Sequence, residues 1–138
     1  MKKAALTILP GDDAPISYIR LNAEYGYYGK FAEIRFTIEG ERHVIGLNSD
    51  KVAVYKETVL DEKHDITREE LYILKKSAHK GTVVYFADYK LELDPFELLI
   101  EFSESSAKVR VDCNIYPKVG GKVHTFIELF LNTIEEQE

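Results

Sequence analysis

The chain holds a single cysteine, Cys113, among its 138 residues. That excludes an intrachain disulfide and suits a reducing cytoplasm. No apolar run approaches the roughly 20 residues that a membrane-spanning helix needs. Met1-Lys2-Lys3 is followed only by Ala4–Leu9 before Pro10 and two aspartates intervene, so neither a signal peptide nor a membrane partner is expected. Basic charge is in short supply, with 18 Lys and Arg against 24 Asp and Glu, a net charge of −6 and a pI near 5.3. A protein that grips the phosphate backbone is usually basic, so nucleic acid is not expected as a partner. An acidic surface favours solubility, or a basic partner protein.

Metal and nucleotide signatures are missing as well. His43, His64, His79 and His124 are scattered, with no i, i+4 helical pair and no tight alternating-strand pair. With one thiol alongside them there is no zinc pattern, and neither a metal nor a cofactor is expected. Gly26-Tyr27-Tyr28-Gly29-Lys30 is glycine-rich, yet it lacks the spacing and trailing Ser/Thr of a phosphate loop. His79 reads as a helix-terminal cap and His64 as a solvated loop residue.

What the sequence does contain is alternation. From Ala107 to Tyr116, Ala107, Val109, Val111, Cys113 and Ile115 fall on one face, and Lys108, Arg110, Asp112, Asn114 and Tyr116 on the other. This period of two marks a half-buried antiparallel strand. Folding the turn Ser103–Ser106 sets Phe102 opposite Ala107, Ile100 opposite Val109, Leu98 opposite Val111 and Phe96 opposite Cys113. Glu101 then meets Lys108 outside, and Glu97 meets Asp112. A loop at 117–121 leads to a returning strand from Lys122 to about Leu131, with Val123, Thr125, Ile127 and Leu129 against Ile115, Cys113, Val111 and Val109. Phe126, Leu129, Phe130 and Ile134 also fit a helical stripe, but the strand register satisfies both faces at once.

Upstream, strands are expected at Ala4–Leu9, Ile16–Asn22, Phe31–Glu39, Arg42–Leu47 and Lys51–Glu57, with a tyrosine-rich loop over Ala23–Lys30. Thr67-Arg68-Glu69-Glu70 has the form of a capping box, with Ile66 and Leu71 at the staple positions. The spacing predicts a helix over 67–80 that Gly81 closes. Thr82–Ala87, apolar on both faces, reads as a central strand, and Asp94-Pro95 interrupts the chain before the hairpin. The expected fold is one α+β domain over 1–138: a mainly antiparallel twisted sheet or two-sheet sandwich, with the 67–80 helix packed on it.

That order of elements resembles the small α+β immunity proteins of bacterial toxin systems, in which early strands lead through one helix to a strand meander and an acidic C-terminus. The resemblance covers most of the chain as a pattern, without a residue motif. It implies a non-catalytic protein that blocks a toxin by binding it.

No catalytic residue stands out. The expected contact surface is the outer face of the last three strands, where Leu99, Phe126 and Phe130 lie among Glu97, Asp112 and Glu128. Tyr27 and Tyr28 add mobile aromatic anchors. The sequence points to a protein-binding module whose partner is another protein, with a basic one favoured by charge. Two other classes stay open: a small hydrolase or isomerase using Glu97, Asp112 or His64, and a small-ligand carrier if a closed barrel encloses an apolar cavity.

Overall fold

A computed structural model describes residues 1–9, 19–59, 66–75, 83–86, 89–116, 121 and 123–134. The described residues form ten strands: β1 (Lys2–Leu9), β2 (Ile19–Tyr27), β3 (Phe31–Ile38), β4 (Glu41–Asn48), β5 (Lys51–Val59), β6 (Ile66–Lys75), β7 (Val83–Phe86), β8 (Tyr89–Phe102), β9 (Ser106–Tyr116) and β10 (Val123–Thr133). All lie in one antiparallel sheet of order β6-β5-β4-β3-β2-β1-β10-β9-β8-β7. The sheet is two meanders joined where β1 pairs with β10.

Alternation decides which way this sheet curls. Ala4 and Leu6, Ala23 and Tyr25, Ala32 and Ile34, Ile45 and Leu47 project to one side and are buried there. They merge with Leu98, Ile100, Val109, Cys113, Leu129 and Leu131 into one continuous apolar cluster. Burial of a Leu or Ile side chain stabilises by about 1.5–3 kcal/mol, and a single sheet can bury such a stripe only by closing on itself. It therefore curls into a half-barrel, and β4 touches β8 across the interior although five strands separate them in the order.

A polar latch crosses the same interior. Tyr25 is 1% exposed, and its hydroxyl donates to the carbonyl of Ser103 at 2.6 Å, with the Ser106 carbonyl at 3.3 Å. The turn that receives it is held by the Ser103 N–H donating to the Ser106 carbonyl at 2.8 Å. Burial, and then the neighbouring Tyr27, push the Tyr25 hydroxyl up to about 12.

The tight turns follow from local chemistry. Glu39 (φ 50°) and Gly40 (φ 81°) both take positive φ between the paired Ile38 and Glu41. This is the mirror-image two-residue turn whose twist matches that of the flanking strands. At the next corner the Asn48 side-chain oxygen accepts from the backbone N–H groups of Asp50 and Lys51, both at 2.8 Å.

The α+β expectation is overturned: there is no helix among the described residues, and one curled sheet replaces the proposed sandwich or helix-on-sheet. Residues 67–75 of the expected helix belong instead to β6, an edge strand paired along β5. The Thr67 hydroxyl donates to the Thr58 carbonyl of β5 at 3.5 Å instead of capping a helix, and Arg68 Nε donates to Glu57 at 3.0 Å. Glu69 lies opposite Lys56. Cross-strand charge matching thus outweighs a local capping pattern whose i, i+3 spacing is only a weak preference. Leu71 is the extra residue of a bulge, because Val54 pairs with Tyr72 and Tyr55 with Glu70. That bulge blurs the period of two. Residues 76–82, including His79 and Gly81, lie outside the described residues. With the helix gone, the element order behind the resemblance to immunity proteins is gone as well.

Three smaller expectations also change. The tyrosine-rich stretch is the end of β2 instead of a loop, with Tyr25 in the core. Val83–Phe86 forms the far edge of the sheet, not its centre. Asp94-Pro95 sits inside β8, where the register jumps between Glu92 and Glu97, so Phe96 does not pair with Cys113.

Candidate binding surfaces

The last three long strands carry the register expected of them. Glu97, Leu98, Ile100, Glu101 and Phe102 lie opposite Asp112, Val111, Val109, Lys108 and Ala107. Val123, Thr125, Ile127 and Leu129 lie opposite Ile115, Cys113, Val111 and Val109. Residues 123–133 are strand, which settles the strand-or-helix alternative.

Three rows follow on the outer face. Glu97 and Asp112 occupy the first, with Phe126 the register partner of Asp112; Leu99, Arg110 and Glu128 occupy the second, and Glu101, Lys108 and Phe130 the third. Glu97 and Glu101 are exposed, while Leu99, Asp112, Glu128 and Phe130 are half-buried. The Lys108 ammonium sits 5.5 Å from the Phe130 ring centroid, a cation–π contact. All described strands belong to one sheet, so no second layer among the described residues covers this face.

The tyrosines are not part of it. Tyr27 follows Tyr25 on the concave side and meets Phe102 edge-on, with ring centroids 6.2 Å apart. Tyr28, 52% exposed, stacks on Phe31 at 4.8 Å. Its ring occupies the space a Cβ would need at Gly26, where the Tyr28 hydroxyl would lie 2.6 Å away. The structure therefore divides the expected contact surface in two: an outer face on β8–β10, and an aromatic rim by the β2–β3 turn.

A feature the sequence reading missed lies on the other half of the sheet. The β2–β3 ladder ends at Ala23–Phe36, although β2 begins at Ile19 and β3 continues to Ile38. Where the strands part, a cleft of about 850 Å³ opens, lined by Lys3, Arg20, Asn22, Glu24, Arg35, Thr37, Arg42 and Glu57 among others. Glu57, with its side chain 2% exposed, is held between Arg42 at 3.5 Å and Arg68 at 3.0 Å. Arg35 reaches Glu33 at 3.3 Å through Nη2, while its Nε is buried without a hydrogen-bond partner. At the inner end, the His43 ring stacks on Phe36 at 5.4 Å. Arg20, Arg35 and Arg42 look like ordinary outward strand residues in sequence, and nothing local announces that β2 and β3 separate between them.

The catalytic alternatives gain little geometry. Glu97 faces Asp112 in the register, but neither lines the cleft, and His64 lies outside the described residues. Cys113 is buried, with Thr125 opposite it and His124 opposite Asn114. Burial, and then the charge of Asp112, push its thiol up to about 11, so the thiolate is disfavoured at neutral pH. No group of three or more His, Cys, Asp or Glu among the described residues could hold a metal ion. No helix among them is long and apolar enough to cross a membrane.

No protein-family model matches the chain, and no curated protein matches it. Among solved structures, the chain is similar to the crystal structure of the ywiB protein from Bacillus subtilis, at a TM-score of 0.59 and 9% sequence identity. The match covers 97% of this chain and 93% of that one. At that identity the likeness is one of fold, and it supports the curled sheet over nearly its whole length.

Proposed function

We propose that the protein is a non-catalytic binding module that engages a basic surface of another protein through the outer face of β8, β9 and β10. The observation that carries this reading is the alignment of the three rows. It gathers Glu97, Glu101, Asp112 and Glu128 around Leu99 and Phe130, four carboxylates against the two cations Lys108 and Arg110. A broad sheet face suits a protein partner better than a small molecule, which favours a concave site. Rim carboxylates would steer a basic partner, and Leu99 and Phe130 would supply the contact area. The concave side is filled by the core cluster, so a carrier reading based on an enclosed apolar cavity has no support there. The single buried thiol suits a reducing cytoplasm as the place of action.

Co-purification from extracts of the native host, at low and high salt, tests the reading. A partner should be retained by the wild type at low salt, and lost both at high salt and with the double variant Glu97→Lys/Glu128→Lys. Equal recovery by the wild type and the double variant, or no protein partner at either salt, would overturn it.

A further inference from the structure

We infer that the cleft between the parted ends of β2 and β3 is a second site, one that takes a small organic anion through its carboxylate or phosphate group. The molecule as a whole is acidic, at −6, yet the cleft wall carries four cations, Lys3, Arg20, Arg35 and Arg42, against two carboxylates, Glu24 and Glu57. Inside this concavity local charge thus opposes global charge.

Neither carboxylate neutralises the wall. In the register Glu24 lies between Lys3 of β1 and Arg35 of β3, and Glu57 is shared by Arg42 and Arg68. Each acid is thus flanked by two bases, which leaves guanidinium donors over. Arg35 engages Glu33 through Nη2 at 3.3 Å and, with a third of its side chain exposed, still lines the cleft. Arg20 is exposed and has no ion pair among the described residues.

The backbone adds to this. Residues 19–22 pair only with β1 on one side, and 37–38 only with β4 on the other. Two strand edges therefore face each other across the gap, with their ladder groups unclaimed by one another. Guanidinium groups match planar oxyanions with paired donors, and their grip strengthens where water is partly excluded. At about 850 Å³ the cleft falls within the range of small-molecule sites, roughly 300–1,000 Å³. The Phe36–His43 stack lines the same cleft and offers an aromatic surface to the rest of the ligand.

Calorimetric titration of the full chain at low ionic strength, with citrate in one arm and pyrophosphate in the other, tests the inference. At least one probe should bind saturably, and the better of the two assigns the head group as carboxylate or phosphate. Arg35→Gln should weaken that binding about tenfold or more, and Arg35→Lys should restore part of it. Because Arg42 also braces Glu57, the second variant is Arg20→Gln, which disturbs no ion pair; it too should weaken binding, with an unaltered circular dichroism spectrum. Absence of saturable heat with both probes, or affinities unchanged in Arg20→Gln and Arg35→Gln, would overturn the assignment.

Discussion

Replacing Tyr25 by phenylalanine isolates the latch that ties the two halves of the sheet together. The substitution keeps the ring in the core and removes only the hydroxyl that donates to Ser103 at 2.6 Å across a sequence separation of 78 residues. A net hydrogen bond of this kind is worth about 0.5–1.5 kcal/mol, and the short contact argues for the upper half of that range. For a chain of this length the loss corresponds to a fall in Tm of roughly 3–5 °C. In urea it should appear as a lower midpoint with an unchanged slope, because the folded state remains equally compact. The hydroxyl also makes a pH prediction. Its value in the fold, about 12, lies above the ordinary 10.0 of a free tyrosine, so folding favours the neutral form. That contribution is fully present below pH 10 and is lost as pH climbs through 12. The wild type should therefore exceed Tyr25→Phe in stability near neutrality, and the difference should shrink between about pH 10 and 12, as the hydroxyl ionises. The other tyrosines titrate in both proteins and cancel in the comparison. Equal urea midpoints at neutral pH, together with parallel pH profiles, would refute the latch.

Three further outcomes are expected. Glu57→Gln should destabilise by about 1–3 kcal/mol, below the range for a fully buried pair because both of its arginine partners are 44% exposed; urea unfolding reads it, and a double-mutant cycle with Arg68→Met should show coupling. Cys113 should resist a thiol reagent at pH 8 in the native state and react at once in denaturant, since its thiol is buried and pushed up to about 11; rapid native labelling would contradict its inward position. Thr67→Val should change stability by less than about 0.5 kcal/mol, as an exposed strand position that keeps its β-branch, whereas loss of a helix cap would cost about 1 kcal/mol.

The contrast at Thr67 shows where sequence reasoning held and where it failed. Between Leu98 and Leu129 the pairing follows from side-chain alternation alone, because a slip by one residue would turn Val109, Val111 and Cys113 out of the core. The turn at Ser103–Ser106 is short enough to leave few other registers. The hairpin from Phe31 to Asn48 was legible for the same reason, with Glu39-Gly40 fixing the corner. The placement of Glu97, Leu99, Asp112, Glu128 and Phe130 on one face was legible in consequence. By contrast, the segment 66–75 carries a bulge at Leu71 that erases its alternation, leaving Thr67 and Glu70 to imitate a helix start. What makes it a strand is Glu57, nine positions or more upstream, a buried acid that needs Arg68 as well as Arg42. No window confined to the segment contains that requirement.

Tyr25 and the cleft fail to show for a related reason. A tyrosine at the head of Tyr25-Gly26-Tyr27-Tyr28-Gly29 reads as part of a loop until the sheet has curled far enough to bring Ser103 against it. The latch is a property of closure, and closure depends on all the strands from β2 to β9. The cleft depends on where pairing stops: β2 follows β1 down to Ile19–Ile8, while β3 follows β4 up to Ile38–Glu41, and the two diverge beyond Ala23–Phe36. Each strand is satisfied by one neighbour, so the sequence of either looks complete on its own. A row of cations fits that opening physically, because side chains flanking unpaired strand edges must stay solvated or find counter-charges, and an edge lined with charge also resists pairing with another chain. The same residues that protect the gap from aggregation are thus the ones available to hold an anion within it.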